Sequence, residues 1–229
     1  MVIGGLQKSS LSDYPGRISA IVFTRGCGFR CPYCHNPELV DPSRYAGEIP
    51  QAEIENFLRS RKGKLEGVVV SGGEPTVHED LPEFLGTLKG MGYAVKLDTN
   101  GTNPRMLRRI LSERLVDFIA MDIKAPPALY ELTVNAPVAI EDILLSGELI
   151  RASRVPHEFR TTWIPALLTK ADILVIAGIV AGCDLYVLQP FRSETMLDSS
   201  LSGRPPRDES DLRGIVEAVT AEGLQITLR

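Results

Sequence analysis

Six short apolar, β-branched runs constrain this chain more than any other feature of its sequence. They lie at 18–24, 67–71, 94–99, 116–123, 159–164 and 185–189, each separated from the next by a stretch of helical periodicity. Continuous apolar runs of this length suit parallel strands buried on both faces. The helical stretches lie at 50–62, 80–91, 104–114, 140–151 and 171–181. The first carries Ile54, Phe57 and Leu58 on one face, the second Leu81, Phe84, Leu85 and Leu88, and the third Leu107, Ile110 and Leu111. Pro50 and Pro104 stand at first helical positions, where a missing N–H costs nothing, and Gly92 is placed to stop the second helix. Regular strand–helix alternation predicts an α/β fold with a parallel sheet built from six units. A preface at 1–17 precedes them, with a turn at 13–16. After a linker-like stretch at 202–208, a last helix (209–222) and a short strand (224–228) end the chain.

Composition narrows the class. The chain has 229 residues, 44% apolar and 24% charged, which suits one globular domain over 1–229 and excludes wholesale disorder. The formal charge of −4 provides no field for gripping phosphates, so nucleic acid is not an expected partner. The longest run without a polar side chain, 173–183, is shorter than the ~18 residues of a membrane span. The N-terminus lacks the basic flank and apolar core of a signal peptide, so a cytoplasmic protein is expected.

Three of the four cysteines, Cys27, Cys31 and Cys34, fall within eight residues directly after the first predicted strand; Cys183 stands apart. In a reducing compartment such a cluster points to metal or redox chemistry. Four readings compete. A dithiol site could use Cys31-Pro-Tyr-Cys34, but it wants a helix starting at the first cysteine. Asn36-Pro37 blocks a long one, and Cys27 is left unexplained. Structural zinc could draw on the cysteines and His35, yet adjacent Cys34 and His35 would strain to reach one tetrahedral ion. A dinucleotide fingerprint fails because Cys31 replaces its third glycine. An iron–sulfur cube held by three thiolates leaves one iron open for a substrate. Gly26 and Gly28 would let backbone approach such a cluster. Downstream, Ser71-Gly-Gly-Glu-Pro75, Asp98-Thr-Asn-Gly101 and Asp122-Ile-Lys124 end successive predicted strands, where α/β barrels place their sites. Any one of them alone reads as a turn or cap.

The spacing Cys27-x3-Cys31-x2-Cys34, with Tyr33 before the last cysteine, resembles the radical S-adenosylmethionine superfamily. Gly5-Leu-Gln-Lys-Ser-Ser-Leu11, Asp13-Tyr-Pro-Gly16 and Cys34-His-Asn-Pro37 are similar to the activating enzymes of glycyl radical enzymes. Within these the chain looks closest to the longer-type anaerobic ribonucleoside-triphosphate reductase activating proteins. The resemblance covers nearly the whole chain. It implies a partial (β/α)6 barrel, open and TIM-like, holding a [4Fe-4S] cluster through Cys27, Cys31 and Cys34. It also implies S-adenosylmethionine on the open iron, cleaved by one electron to a 5′-deoxyadenosyl radical. Tyr33 and His35 would meet the adenine, and Gly72, Gly73 and Glu74 the amino group. Asp98, Lys124 and Arg160 would meet the ribose or carboxylate, and Asp98, Thr99 and Asp122 would cradle a monovalent cation. Where the pyruvate formate-lyase activator has Pro-Tyr-His, this chain has Pro190-Phe-Arg192, so Gln189 or Arg192 would replace a histidine contact. The implied partners are a glycyl radical enzyme as protein substrate and a flavodoxin- or ferredoxin-type electron donor. The alternatives are a radical enzyme acting on a small molecule, and a dithiol redox module. His78 and His157 read as surface or cap residues, Cys183 as a buried small hydrophobe and Trp163 as core.

Overall fold

The computed structural model describes residues 1–191, 196–201, 209–221 and 223–229. Among these, one eight-stranded sheet runs in chain order: β1 (Ile3–Ser10), β2 (Ser19–Thr24), β3 (Gly67–Gly72), β4 (Ala94–Thr99), β5 (Phe118–Asp122), β6 (His157–Trp163), β7 (Tyr186–Pro190) and β8 (Ile226–Leu228). β1 lies antiparallel on β2; every later pair is parallel. Short helix α1 (Pro37–Val40) follows the cysteine loop, and α5 (Tyr130–Val134) follows β5. The crossovers are α2 (Gln51–Ser60), α3 (Leu81–Gly90), α4 (Pro104–Ser112), α6 (Ile140–Ser153), α7 (Lys170–Val180) and α8 (Glu209–Ala221). β1 and β8 are the two sheet edges and do not pair, so the barrel is open.

Strand side chains alternate between two environments, as the period of two demands. Val68 and Val70, Val95 and Leu97, Ile119 and Met121, and Tyr186 and Leu188 join the large core shared with helix residues such as Ile54, Leu85, Ile110, Ile150 and Ile176. The intervening positions face inward. Near the strand N-termini Ile21 and Val69 pack with Tyr14, with Phe23, Ala94 and Phe118 beside them. Tyr14 is buried, its ring centroid 6.0 Å from that of Phe118 and the Arg17 guanidinium 5.6 Å from it. A Cβ on Gly67 would stand 2.9 Å from the Tyr14 ring, so that strand needs glycine to admit it. The Asp-Tyr-Pro-Gly segment is therefore the floor of the barrel, far from its chemistry. Tyr14→Ala is expected to cost about 3 kcal/mol through the cavity it leaves. A melting curve should read this as a drop of roughly 10 °C in a chain of this size.

The predicted strands and helices all form, within two residues at most ends. Four features differ. The preface contains β1, which extends the sheet. The final strand joins the sheet beside β7, so seven strands run parallel rather than six. His157 is buried and bonded to the Val155 carbonyl through Nδ1, not a surface residue, and Cys183 is half-buried. Trp163 is core, its Nε1 donating to the Leu168 carbonyl at 3.0 Å. The linker at 202–208 and Arg192 lie outside the described residues. Among the described residues no helix is long and apolar enough to cross a membrane.

Candidate active site

A loop from Arg25 to Asn36 leaves the end of β2 and carries the three cysteines over the C-terminal ends of the strands. Its backbone is fastened from several directions. Gly26 N–H donates to Leu39 at 2.7 Å, Glu74 N–H donates to the Gly26 carbonyl at 2.7 Å, and Arg30 N–H reaches Val134 at 2.9 Å. The Arg30 guanidinium spans the Cys27 and Phe29 carbonyls, both at 2.7 Å. Cys34 N–H closes a turn on the Cys31 carbonyl at 3.0 Å, and Asp198 N–H clasps the Pro32 carbonyl at 2.9 Å. All three cysteines line one cleft of about 950 Å³, its open mouth included.

The donor set fits an iron–sulfur cluster better than a single ion or a dithiol. A tetrahedral zinc with bonds of ~2.3 Å would bring its sulfurs to about 3.8 Å of one another. Among the described residues no three Cys, His, Asp or Glu side chains converge that way. Burial pushes the Cys27 thiol up to about 12 and Cys31 up to about 11, and raises Cys34. A reactive dithiol needs the opposite shift. Meanwhile Cys27 Sγ already accepts from Phe29 N–H at 3.3 Å and Asn100 Nδ2 at 3.7 Å, bonds suited to a sulfur that becomes a metal-bound thiolate. Cluster-free protein is therefore expected to react slowly with iodoacetamide at neutral pH, at Cys27 and Cys31 above all. The rates at Cys27 and Cys31 should climb only in strong alkali; rapid labelling of Cys31 at pH 7 would restore the dithiol reading.

The Ser71-Gly-Gly-Glu segment lies directly under this loop. Gly72 has φ +118°, and a Cβ on it would meet the Thr24 carbonyl oxygen at 2.3 Å; on Gly73 it would meet the Gly26 carbonyl oxygen at 2.1 Å. Both glycines are thus required by backbone-to-backbone contact, which seats the cysteine loop. Glu74 is 1% exposed. Its Oε1 accepts from Thr76 N–H (3.0 Å), Thr76 Oγ1 (2.6 Å) and Thr99 Oγ1 (2.8 Å), and its Oε2 from Asn100 N–H (2.6 Å). Burial raises its carboxyl while these four donors oppose the shift. Three of these bonds fall on Oε1 and one on Oε2, so Oε2 keeps an acceptor site. Glu74 therefore ties the ends of β3 and β4 together at the border of the cleft.

Opposite the cysteines, β4 to β6 build a wall of paired charges. Asp98 Oδ1 accepts from Lys96 Nζ at 2.6 Å, and its Oδ2 from Ser71 Oγ at 3.1 Å and Arg160 Nη1 at 3.3 Å. Asp122 Oδ1 accepts from Arg160 Nε at 2.8 Å and its Oδ2 from Lys124 Nζ at 2.8 Å. Burial alone would raise both carboxyls, but Arg160 with Lys96, and Arg160 with Lys124, hold them below the usual range. Burial likewise works against the charge on Lys124 and Arg160, and their carboxylate partners overcome it and raise both.

Every described residue expected at the site borders this one cleft: Cys27, Cys31, Cys34, Tyr33, His35, Gly72, Gly73, Glu74, Asp98, Thr99, Asp122, Lys124, Arg160 and Gln189. Tyr33 is buried while His35 is exposed, its ring centroid 6.4 Å from that of Phe191. The sequence reading missed Asn100, Ser71, Lys96 and Thr162. Asn100 was visible inside the Asp-Thr-Asn-Gly motif. Lys96 was visible as the residue two before Asp98 on a strand, and hence on the same face.

Fold and cleft together define an α/β barrel enzyme with a three-cysteine site over its strand ends. The sequence profile of the radical SAM superfamily matches residues 21–172. A Methanocaldococcus jannaschii protein whose name places it among the glycyl-radical enzyme activating enzymes is 32% identical over 218 residues, 93% of this chain and 89% of that one. A pyruvate formate-lyase-activating enzyme of Listeria monocytogenes is 32% identical over 176 residues, covering 70% of this chain and 66% of its own. Among solved structures, Streptococcus suis SuiB bound to S-adenosylmethionine superposes on 91% of this chain with a TM-score of 0.71 at 14% identity. The chain spans 51% of SuiB's length, and the likeness is one of fold. The chain belongs to the radical SAM superfamily and, within it, to the glycyl-radical enzyme activating enzymes.

Proposed function

We propose that this chain uses a [4Fe-4S] cluster on Cys27, Cys31 and Cys34, with S-adenosylmethionine beside it, to install a glycyl radical on a partner enzyme. The observation that carries this reading is the convergence of the cysteine loop and the charged wall on one cleft in an unclosed barrel. When bound there, the cluster and S-adenosylmethionine supply a 5′-deoxyadenosyl radical. The chain's own residues bind and orient. In the wall, Lys96, Lys124 and Arg160 face Asp98 and Asp122, three cations against two carboxylates. The surplus positive charge suits the methionine carboxylate, with Lys124 and Arg160 as its neighbours. The ammonium falls to backbone carbonyls of the Gly72–Gly73 segment and to Glu74, whose Oε2 accepts only one bond within the protein. Tyr33 and His35 border the adenine end and Gln189 the ribose side.

The hydrogen donor is a glycine Cα, which has no side chain in the way. A loop of the partner delivers it through the open side and excludes water as it enters. A flavodoxin- or ferredoxin-type protein provides the electron, and the cytoplasm, where such donors work, is the expected compartment.

Lys124→Ala should weaken S-adenosylmethionine binding at least tenfold, the worth of one charged hydrogen bond. Equilibrium dialysis reads this directly, and a fall in melting temperature as large as that of a core variant would mark Lys124 as structural instead. Incubating the reduced protein, S-adenosylmethionine and a glycyl radical enzyme should give a persistent electron-resonance doublet that collapses when glycine Cα is deuterated. Turnover of a metabolite without any partner would establish the small-molecule reading in its place.

A further inference from the structure

Lys96 lies inside the barrel on β4, 1% exposed, between the apolar floor and the charged wall. Its Nζ stands 5.9 Å from the centroid of the Phe118 ring below and bonds Asp98 Oδ1 above. A buried ammonium needs a reason, because desolvating it without a partner is costly. The expected cation cradle of Asp98, Thr99 and Asp122 is present as a place but filled by protein. Asp98 is shared by Lys96, Arg160 and Ser71, and both oxygens of Asp122 are taken by Arg160 and Lys124. Thr99 Oγ1 donates to Glu74 and accepts from Gly101 N–H at 3.1 Å.

We infer that Lys96 is a positioning residue: its ammonium is a built-in counter-cation that fixes Asp98 under the S-adenosylmethionine site and removes the need for an alkali ion from solution. The inference rests on the cleft being that site. Asp98 holds one end of Arg160 and Asp122 the other, so freeing Asp98 loosens the guanidinium and, with it, the wall that faces the ligand. Nothing else on β4 reaches Asp98: Val95 and Leu97 point into the outer core and Ala94 has no polar atom.

The test compares wild type and Lys96→Met, which keeps an unbranched chain one atom shorter and removes the charge. S-adenosylmethionine binding to the reconstituted proteins and melting of the cluster-free proteins are measured in potassium chloride, sodium chloride and tetramethylammonium chloride at equal ionic strength. Wild type should bind and melt alike in all three. In tetramethylammonium, Lys96→Met should bind roughly tenfold more weakly, the loss of one charged hydrogen bond. In potassium or sodium it should recover most of that loss and melt at a higher temperature, as Asp98 takes up the small ion.

Dependence of the wild type on alkali ions would overturn the inference. So would a Lys96→Met protein whose binding is unchanged, or whose loss no ion restores, since Lys96 would then serve packing alone. If Lys96→Met does not fold, the double variant Lys96→Met/Asp98→Asn decides. Its folding supports the ion pair, and its failure assigns Lys96 to packing. Wild-type protein that binds no S-adenosylmethionine in any salt, yet melts alike in all of them, would instead mark failure of the site assignment.

Discussion

Cys27→Ala, Cys31→Ala and Cys34→Ala should each leave the reconstituted protein nearly free of iron, against about four irons per chain for the unaltered protein. The expected loss is all-or-none because a four-iron cube held by only three thiolates has no thiolate to spare. Cys183→Ala should keep the full complement, because Cys183 lies between α7 and β7, away from the cysteine loop. Iron analysis and the absorbance near 400 nm measure both outcomes. Retention of iron by Cys27→Ala with loss in Cys183→Ala would reverse the ligand assignment.

Gly73→Ala should be nearly as damaging, by another route. An added methyl would stand 2.1 Å from the Gly26 carbonyl oxygen and 2.8 Å from its carbon, both backbone atoms that cannot swing aside. The same movement would break the Glu74 N–H bond to Gly26 and unseat the loop next to Cys27. Overpacking of this kind costs roughly 3 kcal/mol, and the displaced loop should load iron poorly. Gly28→Ala is the control. It has a similar place in the motif, but no atom lies within 4 Å of its added Cβ and no positive φ constrains it. It should melt and load like the original. If Gly73→Ala did so too, the close approach of β3 to the cysteine loop would not matter to the site.

These two variants mark what the sequence displays and what it hides. The cysteines declare themselves because their spacing is rare and their chemistry narrow. The parallel strands declare themselves because Val68, Val69 and Val70, and Val95 and Leu97 on either side of Lys96, are apolar and buried. β1 hides because Ile3-Gly-Gly-Leu-Gln-Lys-Ser-Ser10 has two glycines and no clean alternation; only pairing with β2 makes it a strand. Helices α1 and α5 hide because they are four and five residues long, too short to show a period. Within the site, the Gly-Gly-Glu-Pro motif was legible while the jobs of its residues were not. A glutamate before a proline reads as a ligand, but Thr99 and Asn100, which also bond Glu74, meet it only on folding. The same holds for Lys96. Its place on the inner face follows from strand periodicity, whereas its bond to Asp98 depends on an interior with too little apolar filling above Phe118.

The gap between β1 and β8 has a mechanical consequence. In a closed barrel, strand number and shear fix the radius, and the ring cannot widen without tearing a ladder of hydrogen bonds. Here the ring is split, with an antiparallel strand on one lip and a three-residue strand on the other. Spreading the lips bends the sheet and changes its twist slightly at each of seven joints, yet severs none of them. Such a spring resists weakly and everywhere at once, so the diameter of the bore is an adjustable quantity. The cysteine loop leaves β2 and the charged wall stands on β4 to β6, so the joints between β2 and β6 set the distance across the cleft.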